Sequence, residues 1–419
     1  MSFDRLNTTG EIKLDKKKIS ELRQFYHEQL LDDCIPFWMK SDLLDKEYGG
    51  YISSVDREGK CYNDDKSVWF AGRGLWTFSA LCNRYGKRDE WVEAAKLGKD
   101  FLEKYCVDSD GRMFFQTTRD GRPLRKRRYM FSESFYVVGM AEYGAAMDDE
   151  DALEKAEACF DLMLRMYNDP SVDPFKITPK SYASTRSERA AAVPMVMVSS
   201  AQILRRCIPE KAAYYSEIVK QMADDIFKYH YKPDMQCSLE TVRSDGGFID
   251  NPAGRTVNPG HSMENSWFLM NEGIYSGDKE IIDKALKLLD WMLELGWDKE
   301  YGGFYYYVDI KGRPCEQLEY DMKLWWVHNE ALIATLMAYG LTKDEKYWQW
   351  FERIHEYAFS HFHDKEYGEW YGYLHRDGTV SHTQKGSMWK GPYHLPRALM
   401  TCEKLLSMLE NDEPIKPVL

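Results

Sequence analysis

Three stretches of the chain are near copies of one another: DKEYGGYISSVDREGK at 45–60, DKEYGGFYYYVDIKGRP at 298–314 and DKEYGEWYGYLHRDGTV at 364–380. Each holds an acidic, glycine-bearing turn, a short aromatic alternation and a second glycine turn, which spells a small β-hairpin. DGRMFFQTTRDGRP at 110–123 is a shorter copy and DGGFID at 245–250 a remnant. Internal repetition constrains the fold more than any other feature, because each unit must bury its apolar face against its neighbours.

The hairpins lead into segments that are apolar nearly all round, at 68–85, 131–147, 261–275, 322–341 and 393–406; a sixth, at 190–206, has no evident hairpin before it. Helices of that kind belong inside. Charged segments alternate with them, at 17–38, 89–106, 150–167, 210–230, 279–297 and 344–362. Their apolar residues recur at three- and four-residue spacing beside a polar face, as in helices that cover a core on one side. Inner and outer helices in alternation specify an all-α fold, an (α/α)6 barrel formed by residues 1–419 as one domain, with the hairpins gathered at one mouth. An open α-solenoid is the competing arrangement. Closure is favoured because the last inner segment is as aromatic-flanked as the others, where an open array would end in a polar cap.

Composition narrows function by exclusion. A chain that is 44% hydrophobic and 30% charged is that of a folded soluble protein. Its net charge of -12 speaks against an extended nucleic-acid or anionic-membrane surface, either of which needs a dominant basic face. The one basic run, 122–128, is short and reads as a solvated loop edge. Nine scattered cysteines without a CxxC pair argue against a disulfide framework. No apolar run near the N-terminus suits a signal peptide, and no segment approaches membrane-spanning length. A cytoplasmic protein is expected.

The first turns of the inner helices share the hairpin mouth, so their side chains converge on one central pocket. In NPGHSMENSW (258–267), His261 and Glu264 stand three apart on one helix face, where a carboxylate can orient an imidazole or share its proton. In DMKLWWVHNEA (321–331), Trp326 and Glu330 share a face while His328 points elsewhere. An acidic side chain in an apolar helix needs a partner. QKGSMWKGPYHLPRAL (384–399) places His394 and Arg397 three apart, with Trp389 in the loop before them. KSVWFAGRGLW (66–76) sets Trp69, Arg73 and Trp76 on one stripe, and a guanidinium amid aromatics suits an oxyanion. For the paired tryptophans Trp325 and Trp326, core packing is the commoner reading and a sugar platform the alternative. His355, His361 and His363 fall on an outer helix or its end, where a solvated role is expected, and HFH at 361–363 does not have metal-site geometry.

Inverting a stereocentre beside a carbonyl requires a proton to leave one face and arrive on the other. Two imidazoles on opposite walls of a barrel, His261 and His394, can do this, each acid in one direction and base in the other. The enediolate-type intermediate needs a cation such as Arg73. Glu264 and Glu330 can hold hydroxyls, tune the histidines or help open the pyranose ring.

VWFAGRGLW, FSESFYVVGMAEY, NPGHSMENSWFL, KLWWVHNEAL and KGPYHLPRAL, in this order, resemble the signature segments of the N-acylglucosamine 2-epimerase family across nearly the whole chain. That resemblance implies an (α/α)6 barrel interconverting N-acetylglucosamine and N-acetylmannosamine, with His261 and His394 as the acid/base pair. It further implies that Arg73 and Glu330 are required and that Glu264 is the carboxylate beside the first histidine; Trp69, Trp326, Trp389 and Arg397, placed at the mouth, are expected to bind substrate. No cofactor is needed for the chemistry. The same family implies a response to ATP as an activator that is not consumed, and a homodimer. Relatives acting on cellobiose or mannose, by 2-epimerisation or aldose–ketose isomerisation, usually carry another histidine on the third inner helix. Here that helix reads ERAAAVPMVMVSS (188–200), which favours the acetamido sugar. A glycoside hydrolase using Glu264 and Glu330, and a carbohydrate- or protein-binding module, are the rival readings.

Overall fold

A computed structural model describes residues 16–126, 130–173, 182 and 184–419. The stretch 1–15, and residues 127 and 128 of the basic run, lie outside the described residues. Twelve long helices alternate as the sequence implies. The outer ones are α1 (Lys16–Glu28), α3 (Asp89–Tyr105), α5 (Glu150–Asn168), α7 (Ala212–Asp225), α9 (Lys279–Gly296) and α11 (Glu345–His361). The inner ones are α2 (Val68–Tyr85), α4 (Phe131–Met147), α6 (Ala192–Cys207), α8 (Pro259–Ser276), α10 (Trp325–Thr342) and α12 (His394–Glu410). Every residue of α10 from Trp325 to Gly340 is buried, as an all-round apolar helix requires. Helix α9 buries one stripe, Ala285, Leu288, Leu289, Met292 and Leu293, and leaves its charged face to water.

Inner helices pass to outer helices through connections of two to four residues, three of the five being two residues long. Asp148–Asp149, Gly277–Asp278 and Lys343–Asp344 each place a left-handed residue first and an aspartate N-cap second. The aspartate side chain accepts from the first free N–H groups of the next helix, for example from Glu280 N at 2.9 Å. Such short links force antiparallel neighbours and keep that end of the barrel closed. Connections from outer to inner helices are long and carry the β-structure, so all the hairpin-bearing loops collect at the other end.

The hairpins stitch neighbouring units together. Lys66–Ser67, just before α2, pairs antiparallel with Gln116–Thr117 of the following unit. Thr256–Val257 pairs with Val308–Asp309, Lys323–Leu324 with Tyr373–Leu374, and Glu188–Ala190 with Thr241–Arg243 in the same manner. Local hairpins form at 54–63, 116–125 and 373–382. The copy at 298–314 departs from the expected hairpin. Its Tyr306 and Tyr307 N–H groups donate to the carbonyls of Met322 and Tyr320, so the return to these residues comes only at 320–322, and Val308–Asp309 pairs with Thr256–Val257 instead. DGGFID forms only the tight turn after Thr241–Arg243.

The repeated aspartate of DKEYG is the anchor of each copy. Asp45 accepts from the ammonium of Lys66 at 2.8 Å and from Arg119 of the next unit at 2.9 Å. Asp298 does the same with Lys323 and Arg376, both at 2.9 Å. Asp364 takes Lys385 at 3.1 Å and Arg57 at 2.7 Å. The aspartates and lysines are all buried, and the extra positive charge of each arginine is met by a glutamate two residues after the aspartate, Glu47, Glu300 or Glu366, so each cluster would be expensive to break. Because Arg57 belongs to the first unit and Asp364 to the last, the contact that joins neighbours elsewhere here closes the ring. Closure is reinforced where Thr77 Oγ1 donates to Pro392 O at 2.5 Å and the rings of Trp76 and Tyr393 meet at 5.2 Å. The fold is an (α/α)6 barrel, not an open solenoid.

Candidate active site

The mouth loops and inner-helix starts enclose a cavity of about 600 Å³, within the range that holds a small ligand. His261, Glu264, Arg73, Trp69, Trp326, Trp389, His394 and Arg397 all line it. Glu330 stands behind this wall, fully buried.

His261 lies in the first turn of α8, where the Asn258 side chain accepts its backbone N–H at 3.1 Å and Pro259 occupies a position that needs no N–H partner. His394 is the first residue of α12. Helix α10 lies between these two, and Trp326 on it stands 5.3 Å from the His261 ring and 5.7 Å from the His394 ring. The imidazoles thus flank one indole from neighbouring helices and open into one space.

Each imidazole is backed by a carboxylate. His394 Nδ1 meets Glu330 Oε1 at 2.7 Å. The partner of His261 differs from the sequence expectation: its Nδ1 meets Glu240 Oε2 at 3.1 Å, and Glu264 instead accepts from Arg397 Nη2 at 2.5 Å. A guanidinium binds a carboxylate more strongly than a neutral imidazole does, so Arg397 from α12 captures Glu264 despite its helical proximity to His261. The same Nη2 donates to Glu330 Oε1 at 2.6 Å, and Trp267 Nε1 donates to Glu330 Oε2 at 2.8 Å. Arg397, expected to bind substrate, lines the cavity and holds two carboxylates through this one nitrogen. Glu264, Glu330 and His394 bring ligand atoms within 4.8 Å of one another, a grouping of the kind that holds metals, but the guanidinium of Arg397 supplies the positive charge there.

These surroundings drive the two imidazoles apart. Burial works against protonation of His261, yet the charge and hydrogen bond of Glu240, with Glu264 and Glu330 beyond, outweigh it and raise its pKa. For His394, burial and the repulsion of Arg73 and Arg397 act together and hold the pKa well below the usual imidazole value. Arg73 sits 4.0 Å over the Phe135 ring and donates from Nη1 to the Trp389 carbonyl at 3.0 Å. Burial lowers its pKa to about 10, so it stays charged at neutral pH, and its buried Nε has no hydrogen-bond partner among the described residues. Trp69 donates to Ser132 Oγ at 3.0 Å and packs edge-on against Trp389 at 5.4 Å, forming an aromatic rim. Trp76, from the same stripe, is buried core.

His328, His355 and His363 hold structure together. His328 Nε2 accepts from Phe304 N at 3.0 Å, and burial lowers its pKa to about 3. His355 is packed, not solvated as expected: its Nδ1 meets Tyr26 OH at 3.1 Å, and burial lowers its pKa to about 4. His363 pairs with Asp33 at 3.0 Å. Sequence reasoning missed Glu240 and the mouth residues Tyr306, Glu319 and His382. Only the aromatic run at 304–307 signalled any of them; Glu240 lies 21 residues from its histidine with no motif around it.

The assembly can move a proton between two imidazoles of opposed readiness beside a fixed cation. A family model described as N-acylglucosamine 2-epimerase (GlcNAc 2-epimerase) matches residues 50–398. The N-acylglucosamine 2-epimerase of Mus musculus is 37% identical over 396 residues, which cover 92% of this chain and 93% of the relative. The cellobiose 2-epimerase of Dictyoglomus turgidum is 26% identical over 389 residues, covering 89% and 96%. Among solved structures, cellobiose 2-epimerase from Bacillus thermoamylovorans aligns with a TM-score of 0.80 at 21% identity, covering 92% of this chain and 99% of that one. With the match spanning most of the barrel, the chain belongs to the N-acylglucosamine 2-epimerase family, whose reaction class is sugar epimerisation.

Proposed function

We propose that the protein interconverts N-acetylglucosamine and N-acetylmannosamine by two-base proton transfer at C2 of the ring-opened sugar. The observation that carries this reading is the pair His261 and His394, flanking Trp326 in one cavity, each tied at Nδ1 to its own carboxylate. Tying Nδ1 leaves Nε2 of each ring for the substrate. One imidazole takes the C2 proton, the electron pair moves toward the carbonyl oxygen at C1, and the other imidazole returns a proton to the opposite face. Arg73 meets the charge that grows on that oxygen. Trp69, Trp326 and Trp389 offer apolar faces to the sugar.

The acetamido substrate is supported by the greater identity to the N-acylglucosamine enzymes than to the cellobiose ones, and by helix α6. That helix presents Ala192, Met195, Val196, Ser199 and Ser200 to the cavity, an apolar wall with hydroxyls and no histidine. Glycoside hydrolysis fits poorly, since one guanidinium nitrogen holds Glu264 and Glu330 together, where a hydrolase sets its carboxylates apart across a bond. A cytoplasmic setting is supported by nine cysteines that are all free thiols. The family resemblance supports a homodimer and ATP as an activator that is not consumed; the chemistry itself draws on side chains alone.

The test is NMR in deuterated water with N-acetylglucosamine, N-acetylmannosamine, mannose and cellobiose, each with and without ATP. Epimerisation of the acetamido pair with solvent deuterium at C2 is expected. His261→Ala and His394→Ala are each expected to abolish epimerisation, while each retains C2 exchange with only the epimer whose proton faces the surviving imidazole. Normal epimerisation by either variant would overturn the two-base scheme.

A further inference from the structure

The carboxylates behind the two histidines are not equivalent. The negative charge of Glu330 is shared between His394 and the Arg397 guanidinium, and its second oxygen is taken by Trp267. Glu330 can orient His394, but Arg397 and Arg73 beside that ring offset its pull on the proton. Glu240 meets His261, and among the described residues no lysine or arginine pairs with it. Its backbone is fixed on both sides: the N–H donates to Thr256 O at 3.3 Å, next to the strand end that enters α8, and the carbonyl accepts from Ala191 N at 2.9 Å, at the start of α6. A side chain so placed is aimed at one imidazole.

The groups that face His261 come from several elements. Glu264 is on its own helix, Trp326 and Glu330 on α10, His394 and Arg397 on α12, and Arg73 on α2, with Tyr306 and Glu319 from the mouth. The cations in this set lie against Glu264, Glu330 or the aromatic rim, so the carboxylate left for His261 is Glu240.

We infer that Glu240 is a positioning residue that makes His261 the acid of the resting enzyme and leaves His394 as its base. The inference rests on the two-base reading above and adds the direction in which the resting site is charged. In that state His394 Nε2 accepts the C2 proton while His261 Nε2–H delivers one to the other face, so one proton enters and one leaves. The opposed pKa shifts of the two rings agree with this division. Removing the charge of Glu240 should let burial win at His261, and the ring would lose its proton at lower pH.

The experiment is the pH profile of kcat/KM for N-acetylmannosamine with wild type, Glu240→Gln and Glu240→Asp. The active form carries one proton on the histidine pair, so a bell is expected, its acid limb set by a second proton reaching His394 and its alkaline limb by loss of the proton from His261. In Glu240→Gln the alkaline limb should move down by about one to three pH units while the acid limb stays. Glu240→Asp, with the charge kept but the reach shortened, should restore part of the shift. A merely structural role would lower the whole bell and leave both limbs in place, and that result, or movement of the acid limb instead, would overturn the inference. Should Glu240→Gln not fold, NMR titration of histidine-labelled wild type reads the same order: His261 must titrate above His394. If wild type does not epimerise, the two-base reading fails with it; if wild type epimerises and the limbs ignore Glu240, only this inference fails.

Discussion

Glu330→Gln tests the hydrogen-bond arithmetic at the centre of the barrel. Three donors converge on the carboxylate: His394 Nδ1 at 2.7 Å and Arg397 Nη2 at 2.6 Å on Oε1, and Trp267 Nε1 at 2.8 Å on Oε2. An amide offers one oxygen. Placed at the Oε1 position, that oxygen still serves His394 and Arg397, and the NH2 group then faces the Trp267 N–H, leaving a buried donor unmet. The reverse orientation would set NH2 against the guanidinium, which is worse, so the first is expected. One orphaned buried donor costs about 1–3 kcal/mol. The lost charge adds less than the roughly 3–5 kcal/mol of a broken buried ion pair, because Arg397 retains Glu264 at 2.5 Å. The tautomer of His394 survives, so kcat should fall about a hundredfold through loss of the anion behind the ring, at the low end of general-base contributions. A swapped tautomer would be expected to cost about 10⁴-fold. Thermal unfolding of Glu330→Gln, Trp267→Phe and the double variant gives a cycle in which Trp267→Phe should relieve part of the damage, with a coupling of about 1–3 kcal/mol. Zero coupling, or a 10⁴-fold fall in kcat, would refute the orientation argued from these distances.

The ring-closing triad makes two further expectations. Asp364→Asn should destabilise the barrel by about 3–5 kcal/mol in thermal unfolding at pH 6, since Lys385 and Arg57 lose a buried partner; the loss should shrink as the pH is raised, because burial already lowers the Lys385 pKa to about 8 and the lysine can shed its proton. Acid unfolding should report the triads together: the Asp45 pKa falls to about 2, as hydrogen bonds from Arg119 and Lys66 overcome the burial that works to raise it, and those of Asp298 and Asp364 are depressed in the same way. Their contribution to stability is full above the ordinary carboxylate value and is lost as pH falls through the folded values, so wild type should lose stability steeply below about pH 4 while a variant lacking Arg57 loses less over that window.

The sequence by itself determined the architecture. Period and polarity separated inner from outer helices, because a helix apolar on every face, such as Trp325–Thr342, is stable only when surrounded. The DKEYG copies marked the units, and first-turn placement put His261 and His394 at one mouth, since a helix start fixes where its side chains go. What only the tertiary structure decided is which groups meet. Helical spacing paired His261 with Glu264, but Arg397 arrives from a helix 133 residues away in sequence and takes that carboxylate, and Glu240 reaches the imidazole from a loop with no motif. The repeated aspartates looked like turn residues and proved to be buried anchors, one of them closing the ring through Arg57. Local pattern encodes the face a side chain occupies; the charge it finds there depends on which segments the fold brings together, and Coulomb interactions in a cavity follow from those distances and from how deeply the groups are buried.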